Sequence, residues 1–293
     1  MSDYFAPDAL EEIGRLDVIA EILANGLQQG KRRSRLLGFS TEFSDYKAYT
    51  PGDDPRLIDW RVKARSDKLV VKRYEAETNV QTMLLLDASA SMAWRWEQTP
   101  SKLLYATHIY AALILLAIRQ QDQVGLLVSD GSQVRAVPPR ASANQLGACC
   151  AIMEHLRPGG GSALPELAEH VHGLKKQRGL IYICSDLEEE PAALETAIKA
   201  LLRPHDQIVL IHLLDAAEVQ VPFLRATAFI DSETGERQPV NLPYLKRTHA
   251  ERLQTFRDHW SDFCRDHGIV YVPVDTGMPY IDTVMAMVNE MEG

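Results

Sequence analysis

The sequence has few of the features that mark secreted, zinc-binding or disulfide-rich proteins. Its four cysteines, at positions 149, 150, 184 and 264, show no Cys-x-x-Cys spacing, and two of them are adjacent. Neither a disulfide framework nor a zinc site is indicated, and we expect reduced, buried thiols in a cytoplasmic protein. The nine histidines form no cluster with metal-ligand spacing either.

Long hydrophobic runs are also absent. No apolar stretch reaches the roughly 20 residues that a transmembrane helix needs, and the longest, residues 109–118, stops at Arg119. The first five residues lack the basic and apolar segments of a signal peptide. The net charge of −9 argues against non-specific binding of nucleic acid. These features predict a cytoplasmic protein with no membrane span and no nucleic-acid partner.

Signature motifs of several enzyme classes are missing too. No strand is followed by Gly-x-Gly-x-x-Gly, and there is no Gly-x-Ser-x-Gly elbow. The glycines at 159–161 have no Walker lysine after them and no strand directly before them. A nucleotide-binding regulator, a serine hydrolase and a phosphate-cradling loop are therefore disfavoured.

The chain does contain an apolar run, beginning at Val80, that ends at Asp87 and is followed by Ser89 and Ser91. Such a run predicts a buried parallel strand. A tight turn after it can bring one carboxylate and two hydroxyls to a common point. Oxygen ligands of this kind suit Mg²⁺, Ca²⁺ or Mn²⁺ rather than zinc. A helix N-cap with nearby turn residues is the alternative interpretation.

Strands and helices alternate over the rest of the chain. Further strands are predicted at 123–128, 179–186, 206–213 and 269–274, and helices at 101–120, 144–156, 248–267 and 282–291. The Asp130-Gly131 turn leads into an alternating segment, 133–137, that should pair in an antiparallel direction. The pattern predicts an α/β fold, with a doubly wound, mostly parallel sheet and one antiparallel edge strand.

The motif after the first core strand resembles the metal-ion-dependent adhesion site (MIDAS) of von Willebrand factor A (vWA) domains. A wider resemblance rests on Tyr49-x-Pro51-Gly52-Asp53-Asp54-x-Arg56-x-Ile58-Asp59-Trp60, then Ala64-Arg65, then a strand running into Glu75 and Glu77, then Asp87-x-Ser89-x-Ser91-Met92. This combination resembles the bacterial domain-of-unknown-function family fifty-eight, a vWA-like family. Its genes typically lie beside those of MoxR-type AAA+ ATPases. The resemblance therefore implies a helper role in the assembly or maturation of protein complexes.

The vWA resemblance also implies a ligand set. The glycine-rich loop would deliver Ser162, where relatives carry threonine, and the strand at 179–186 would deliver Asp186. Together with Asp87, Ser89 and Ser91 they would hold a divalent cation, magnesium first, with calcium or manganese as alternatives.

The remaining segments are interpreted as additions to this core. Residues 7–29 have helical spacing, and residues 38–65 read as a long loop that is mainly structural, with Arg56, Asp59 and Arg65 in polar pairs and Trp60 packed on the sheet. We place a boundary between residues 1–78 and 79–293, with a small β insertion at about 216–247. The loop with Trp94 and Trp96 is either an interface or a lid.

These features together predict a non-enzymatic protein-interaction module in which a partner's carboxylate completes the cation's ligand shell. The partner would be a MoxR-type AAA+ ATPase or its substrate. The alternative is a Mg²⁺-dependent phosphoryl hydrolase. Phosphatases of the haloacid-dehalogenase type also begin at an aspartate after the first strand, but they need a second aspartate two residues on, where this chain has Ser89.

Overall fold

The computed structural model describes residues 7–11, 13–30, 42–50, 62, 70–75, 80–97, 99–161, 164–220, 228–230, 237–239 and 242–292. The chain divides into two compact units, one formed by residues 1–32 with 79–293 and the other by residues 33–78. The N-terminal helical segment belongs to the same unit as the sheet.

The larger unit is built on a six-stranded sheet. Its strands are β3 (Gln81–Asp87), β4 (Gln123–Ser129), β5 (Val134–Arg140), β6 (Gly179–Ser185), β7 (Gln207–Leu214) and β10 (Val270–Asp275), in the order β10-β7-β6-β3-β4-β5. Every neighbouring pair is parallel except β4 and β5. This confirms the predicted α/β fold with one antiparallel edge strand. The carboxyl ends of the five parallel strands therefore lie along one edge of the sheet.

Helices cover both faces of the sheet. The helices of this unit are α1 (Pro7–Glu11), α2 (Leu16–Gly30), α3 (Lys102–Arg119), α4 (Gln145–Met153), α5 (Leu164–Leu174), α6 (Pro191–Leu201), α7 (Ala216–Gln220), α8 (Leu242–His267) and α9 (Tyr280–Glu292). One face carries α5, α6 and α8, whose apolar side chains form a core with β3, β6 and β7. The other face carries α3, packed against α2, α4 and α9.

The helix α3 is buried almost all round, as its apolar composition predicted. Ser101 caps it, because the Ser101 hydroxyl accepts the Leu104 amide at 3.2 Å. By length and composition alone it is the one helix among the described residues that could cross a membrane. Since 83% of it is buried inside this unit, it has the surroundings of a core helix.

Two N-terminal predictions were wrong. The single helix predicted at 7–29 is broken in two, because Gly14 takes a left-handed conformation with φ +65 between α1 and α2. In the smaller unit the segment predicted as loop contains a strand, β1 (Glu42–Ala48), paired antiparallel with β2 (Val70–Glu75). The side chains predicted to be structural, Arg56, Asp59, Trp60 and Arg65, lie outside the described residues.

The predicted β insertion is present as a short antiparallel pair. Its strands are β8 (Ala228–Ile230) and β9 (Arg237–Pro239). The following helix α8 begins at Leu242, six residues before the predicted start at Thr248. All four cysteines are buried and free, as expected.

Candidate functional site

Each parallel strand ends in an aspartate. Asp87 and Asp275 are the last residues of β3 and β10, and Asp130, Asp186 and Asp215 directly follow β4, β6 and β7. Because parallel strands end at a shared edge, the fold brings these carboxylates into one row. The candidate site lies at the centre of the row, where β3 and β6 are neighbours.

The turn after β3 gathers the first three predicted ligands. Asp87 is 1% exposed, and its Oδ1 accepts the Ser89 amide at 2.9 Å while its Oδ2 accepts the Ser185 hydroxyl at 2.7 Å. The Ser89 and Ser91 hydroxyl oxygens lie 3.1 Å apart, and both residues are buried. The structure therefore places Asp87, Ser89 and Ser91 in one small polar cluster.

A short 3₁₀ helix, Ala90–Ala93, follows from this turn, and the glycine-rich loop is bonded to it. The Gly159 amide donates to the Ala88 carbonyl at 3.0 Å, and the Ala90 amide donates to the Gly160 carbonyl at 3.2 Å. Gly160 has φ +63, and a Cβ there would lie 2.5 Å from the Asp130 carbonyl oxygen. Only glycine fits this approach without strain. The loop thus lies beside the serine turn, while Ser162 itself is outside the described residues.

Asp186, the last predicted ligand, is paired with a lysine. The Lys102 Nζ lies 2.7 Å from Asp186 Oδ2, and the two side chains are 0% and 2% exposed. The contact is an ion pair without standard hydrogen-bond geometry. The same ammonium donates to Glu218 Oε1 at 2.9 Å and to Glu188 Oε1 at 3.2 Å.

Lys102 is the functional candidate that the sequence analysis missed. The apolar composition of its helix predicts burial, yet this lysine stands in the first turn, directly after the Ser101 cap. A cation is disfavoured there, because helix N-termini carry partial positive charge. A lysine at the start of a buried helix was the signal that could have revealed a carboxylate cluster.

The site has an excess of negative charge. Three carboxylates, Asp186, Glu188 and Glu218, surround one ammonium, and the carboxylate of Asp87 lies near that of Asp186. Burial and then the nearby Asp186 raise the pKa of Asp87 to about 6, against the hydrogen bonds from Ser185 and Ser89. Burial is the largest influence on Lys102 and lowers its pKa, but the surrounding carboxylates more than reverse this, so its pKa lies above the ordinary value.

The chemistry of the donor set fits a hard divalent cation at the serine turn. Adjacent ligands of an octahedral Mg²⁺, at bond lengths of about 2.1 Å, are about 3 Å apart, close to the 3.1 Å between the two serine hydroxyls. Each Asp87 oxygen accepts one described hydrogen bond and retains a second lone pair. Within the described part of the chain, no three His, Cys, Asp or Glu side chains are arranged to hold a metal. A cation here would therefore depend on the serine hydroxyls.

An exposed tryptophan stands next to this turn. Trp94 is 37% exposed, the large hydrophobic side chain that the described surface presents to solvent. The base of its loop is held by the Lys102 amide, which donates to the Trp94 carbonyl at 3.1 Å, and by the Thr99 hydroxyl, 3.1 Å from Asp215 Oδ2. The backbone at Trp94 is therefore held in place while part of its indole ring is exposed to solvent.

Comparison with known proteins identifies the family. A family model described as "Protein of unknown function DUF58" matches residues 45–258, more than half of the chain. The chain belongs to this family. The DUF58 chain is also 24% identical, over 286 residues, to "Uncharacterized protein Rv1480" of Mycobacterium tuberculosis and to "Uncharacterized protein Mb1516" of Mycobacterium bovis, covering 96% of its own length and 89% of theirs.

Solved structures similar to the DUF58 chain include BatB from Bacteroides thetaiotaomicron, with 18% identity, 73% of this chain and 100% of that chain covered, and a TM-score of 0.48. An aerotolerance-related membrane protein from Bacteroides fragilis gives 18% identity, 72% and 100% coverage, and a TM-score of 0.45. The SpRpn10 VWA domain gives 14% identity, 70% and 93% coverage, and a TM-score of 0.42. The fold assignment rests on the strand order given above.

Proposed function

We propose that this DUF58 protein is a non-enzymatic protein-interaction module that engages its partner through a divalent cation at the carboxyl edge of the sheet. The observation that carries the proposal is the clustering of Asp87, Ser89 and Ser91 in one buried turn, with the two hydroxyls 3.1 Å apart. Magnesium is the first choice of ion, with calcium and manganese as alternatives, because all the donors are hard oxygens.

The chain's residues would have distinct tasks at this site. Asp87 would supply a charged ligand, Ser89 and Ser91 neutral ones, and Ser162 a further hydroxyl from the loop that is bonded to the turn. Asp186 would supply a second charged ligand. A ligand position left to the partner would accept a carboxylate, so that binding needs both the cation and an acidic residue of the partner. Trp94 would add apolar contact area beside it.

The arrangement favours binding over hydrolysis. A nucleophilic aspartate must present an oxygen to the substrate, whereas Asp87 is 1% exposed and both of its oxygens accept hydrogen bonds from the chain. Ser89 stands where a phosphatase of the haloacid-dehalogenase type needs an acid/base carboxylate. We therefore propose no catalytic activity, and a phosphatase assay with generic substrates and Mg²⁺ should give none.

The proposed partner is a MoxR-type AAA+ ATPase or a substrate that it remodels, with a role in assembling or maturing protein complexes. This part of the proposal rests on the family resemblance. The local charge supports a cation-mediated contact, because the acidic edge would repel a partner's carboxylate unless a cation lay between them.

Two measurements test the cation site. A ligand that binds only the folded state stabilises it, and Mg²⁺ at ten times its dissociation constant should add about 1.4 kcal/mol to the free energy of unfolding. Asp87→Ala should abolish this gain. The matched control is Asp275→Asn, at the end of the outermost parallel strand, which should retain it. An equal response in wild type and Asp87→Ala would contradict the proposal.

Capture of the partner tests the function itself. Affinity purification would compare wild type in Mg²⁺, wild type in EDTA, and Asp87→Ala in Mg²⁺. Loss of a charge-assisted bond typically removes about 1.5–3 kcal/mol, which is roughly a tenfold to hundredfold loss of affinity. Equal recovery of the same partner in all three conditions would place recognition on another face.

A further inference from the structure

Lys102 occupies an unusual position for a cation. Its side chain is 0% exposed, and it lies in the first turn of α3, where the helix dipole disfavours positive charge. Three carboxylates lie within 3.2 Å of its ammonium, and one of them belongs to the predicted ligand Asp186. A buried lysine is retained at such a place only when its charge is compensated.

A second buried lysine shows what a purely structural ion pair looks like in this chain. Lys175 is 1% exposed and donates to Asp206 Oδ1 at 2.6 Å and to the Gln177 carbonyl at 2.8 Å. It has one carboxylate partner and lies at the amino ends of β6 and β7, the edge opposite the candidate site. Lys102 differs in having two further carboxylates besides Asp186.

We propose that Lys102 is the site's own cation, which competes with the divalent ion for Asp186. The inference rests on the proposed function, because it concerns how that site binds its metal. In the metal-free protein the ammonium neutralises Asp186, so the fold tolerates the buried carboxylates without an ion. When an ion binds at the serine turn, Asp186 turns towards it, and Lys102 stays paired with Glu188 and Glu218.

The two other carboxylates are placed to hold the lysine in this second arrangement. Glu218 is fixed from its other oxygen, because its Oε2 accepts the Asp215 amide at 2.7 Å. Glu188 lies two residues after Asp186 and its side chain is half exposed. The side chain can therefore move together with the Lys102 ammonium at little cost in free energy. Loss of Asp186 therefore leaves Lys102 with two partners rather than none. The competition should make metal binding weak and reversible rather than structural.

Binding of Mn²⁺ alone, measured by isothermal titration and by electron paramagnetic resonance, tests the inference. We expect Lys102→Met to bind Mn²⁺ at least tenfold more tightly than wild type, because a competing positive charge is gone. We also expect a larger rise of its thermal midpoint on adding Mn²⁺. The matched control, Lys175→Met, also breaks a buried lysine–aspartate pair but should leave Mn²⁺ affinity unchanged.

The outcomes separate the two proposals. Measurable and equal Mn²⁺ binding by wild type and Lys102→Met would overturn the competition while leaving the cation site in place. No binding by either protein would overturn both. Tighter binding by Lys175→Met as well would attribute the effect to loosened packing and overturn the role of Lys102.

A measurement on the wild-type protein decides the question if Lys102→Met does not fold. Buried lysine ammonium groups exchange protons with water slowly enough to be seen by ¹⁵N NMR. The signal that disappears in Lys175→Met belongs to Lys175, which distinguishes it from the signal of Lys102. Addition of Mg²⁺ should shift the Lys102 ammonium signal and leave that of Lys175 in place. An unmoved Lys102 signal at saturating Mg²⁺ would refute the competition.

Discussion

The buried histidine of α3 should make the protein sensitive to mild acid. His108 is 2% exposed, and its Nδ1 lies 2.9 Å from the Tyr280 hydroxyl. Burial lowers the pKa of His108 from 6.5 to about 4. The folded protein therefore keeps the ring neutral over a range in which the unfolded chain protonates it. The contribution of the neutral ring to the free energy of unfolding is complete above pH 6.5, the ordinary pKa of the ring in the unfolded chain. This contribution is lost as the pH falls towards about 4, the pKa of His108 in the folded protein.

These two pKa values set the size of the loss of stability on acidification. Between pH 7.5 and pH 5.0 the difference in proton binding should lower the free energy of unfolding by about 2 kcal/mol. His108→Gln should lack this loss, because its amide does not titrate. Urea unfolding of both proteins at the two pH values measures the difference. The other titratable groups are the same in both proteins, including Glu11 and Glu154, which line the same cavity of about 620 Å³ as His108.

A control separates titration from simple loss of a buried polar contact. Tyr110 is 0% exposed, and its hydroxyl donates to the Leu85 carbonyl at 2.7 Å. Burial raises the pKa of Tyr110 well above its usual value, so Tyr110→Phe should lower stability by about 1 kcal/mol at both pH values. If His108→Gln loses as much stability on acidification as wild type does, the neutral-histidine argument is refuted.

Four further substitutions test the fold and the site. Burial raises the pKa of Asp122 to about 6, so the folded protein holds an unfavourable buried charge at pH 7.5. Asp122→Asn should therefore be up to about 3 kcal/mol more stable than wild type at pH 7.5 and no more stable at pH 3.5, where the carboxyl is protonated. Urea unfolding at the two pH values measures the difference. Gly179→Ala should lower the free energy of unfolding by about 3 kcal/mol, because the new Cβ would lie 2.1 Å from the Gln81 carbonyl oxygen. In contrast, the Cβ of Gly173→Ala, inside a helix, meets nothing within 4 Å, so this substitution should raise the free energy of unfolding by up to about 1 kcal/mol. Gly160→Ala should weaken the Mg²⁺-induced rise of the thermal midpoint more than it lowers the midpoint itself, because it displaces the loop that is bonded to the serine turn.

The sheet was predictable from sequence because its signals are local. The apolar strand ending at Asp87 and the strand ending at Asp186 each carry their pattern within a few residues, and parallel strands need a crossover that the intervening helices supply. The Asp130-Gly131 turn identified the antiparallel edge strand for the same reason. From these local signals the shared edge of the strands follows by geometry, and with it the approach of Asp186 to the serine turn.

The features that were missed depend on long-range contacts or on weak local patterns. The lysine at position 102 becomes functional only beside Glu188 and Glu218, which are far from it in sequence. The strand Glu42–Ala48 has charged residues interleaved with aromatic ones and no clear alternation, so only its pairing reveals it. The break at Gly14 depends on the backbone conformation of that residue, and the apolar spacing of the neighbouring residues does not indicate it.

The charge at the sheet edge decides which group of a partner can bind there. The candidate site holds four carboxylates and a single ammonium, so a partner's carboxylate that approached the bare edge would be repelled. The same carboxylate is attracted once a divalent cation lies beside Asp87. A partner's lysine or arginine would instead bind without any cation, and its affinity would fall as salt is added. The comparison in EDTA therefore distinguishes the two kinds of partner, because chelation removes the first mode of binding and leaves the second intact.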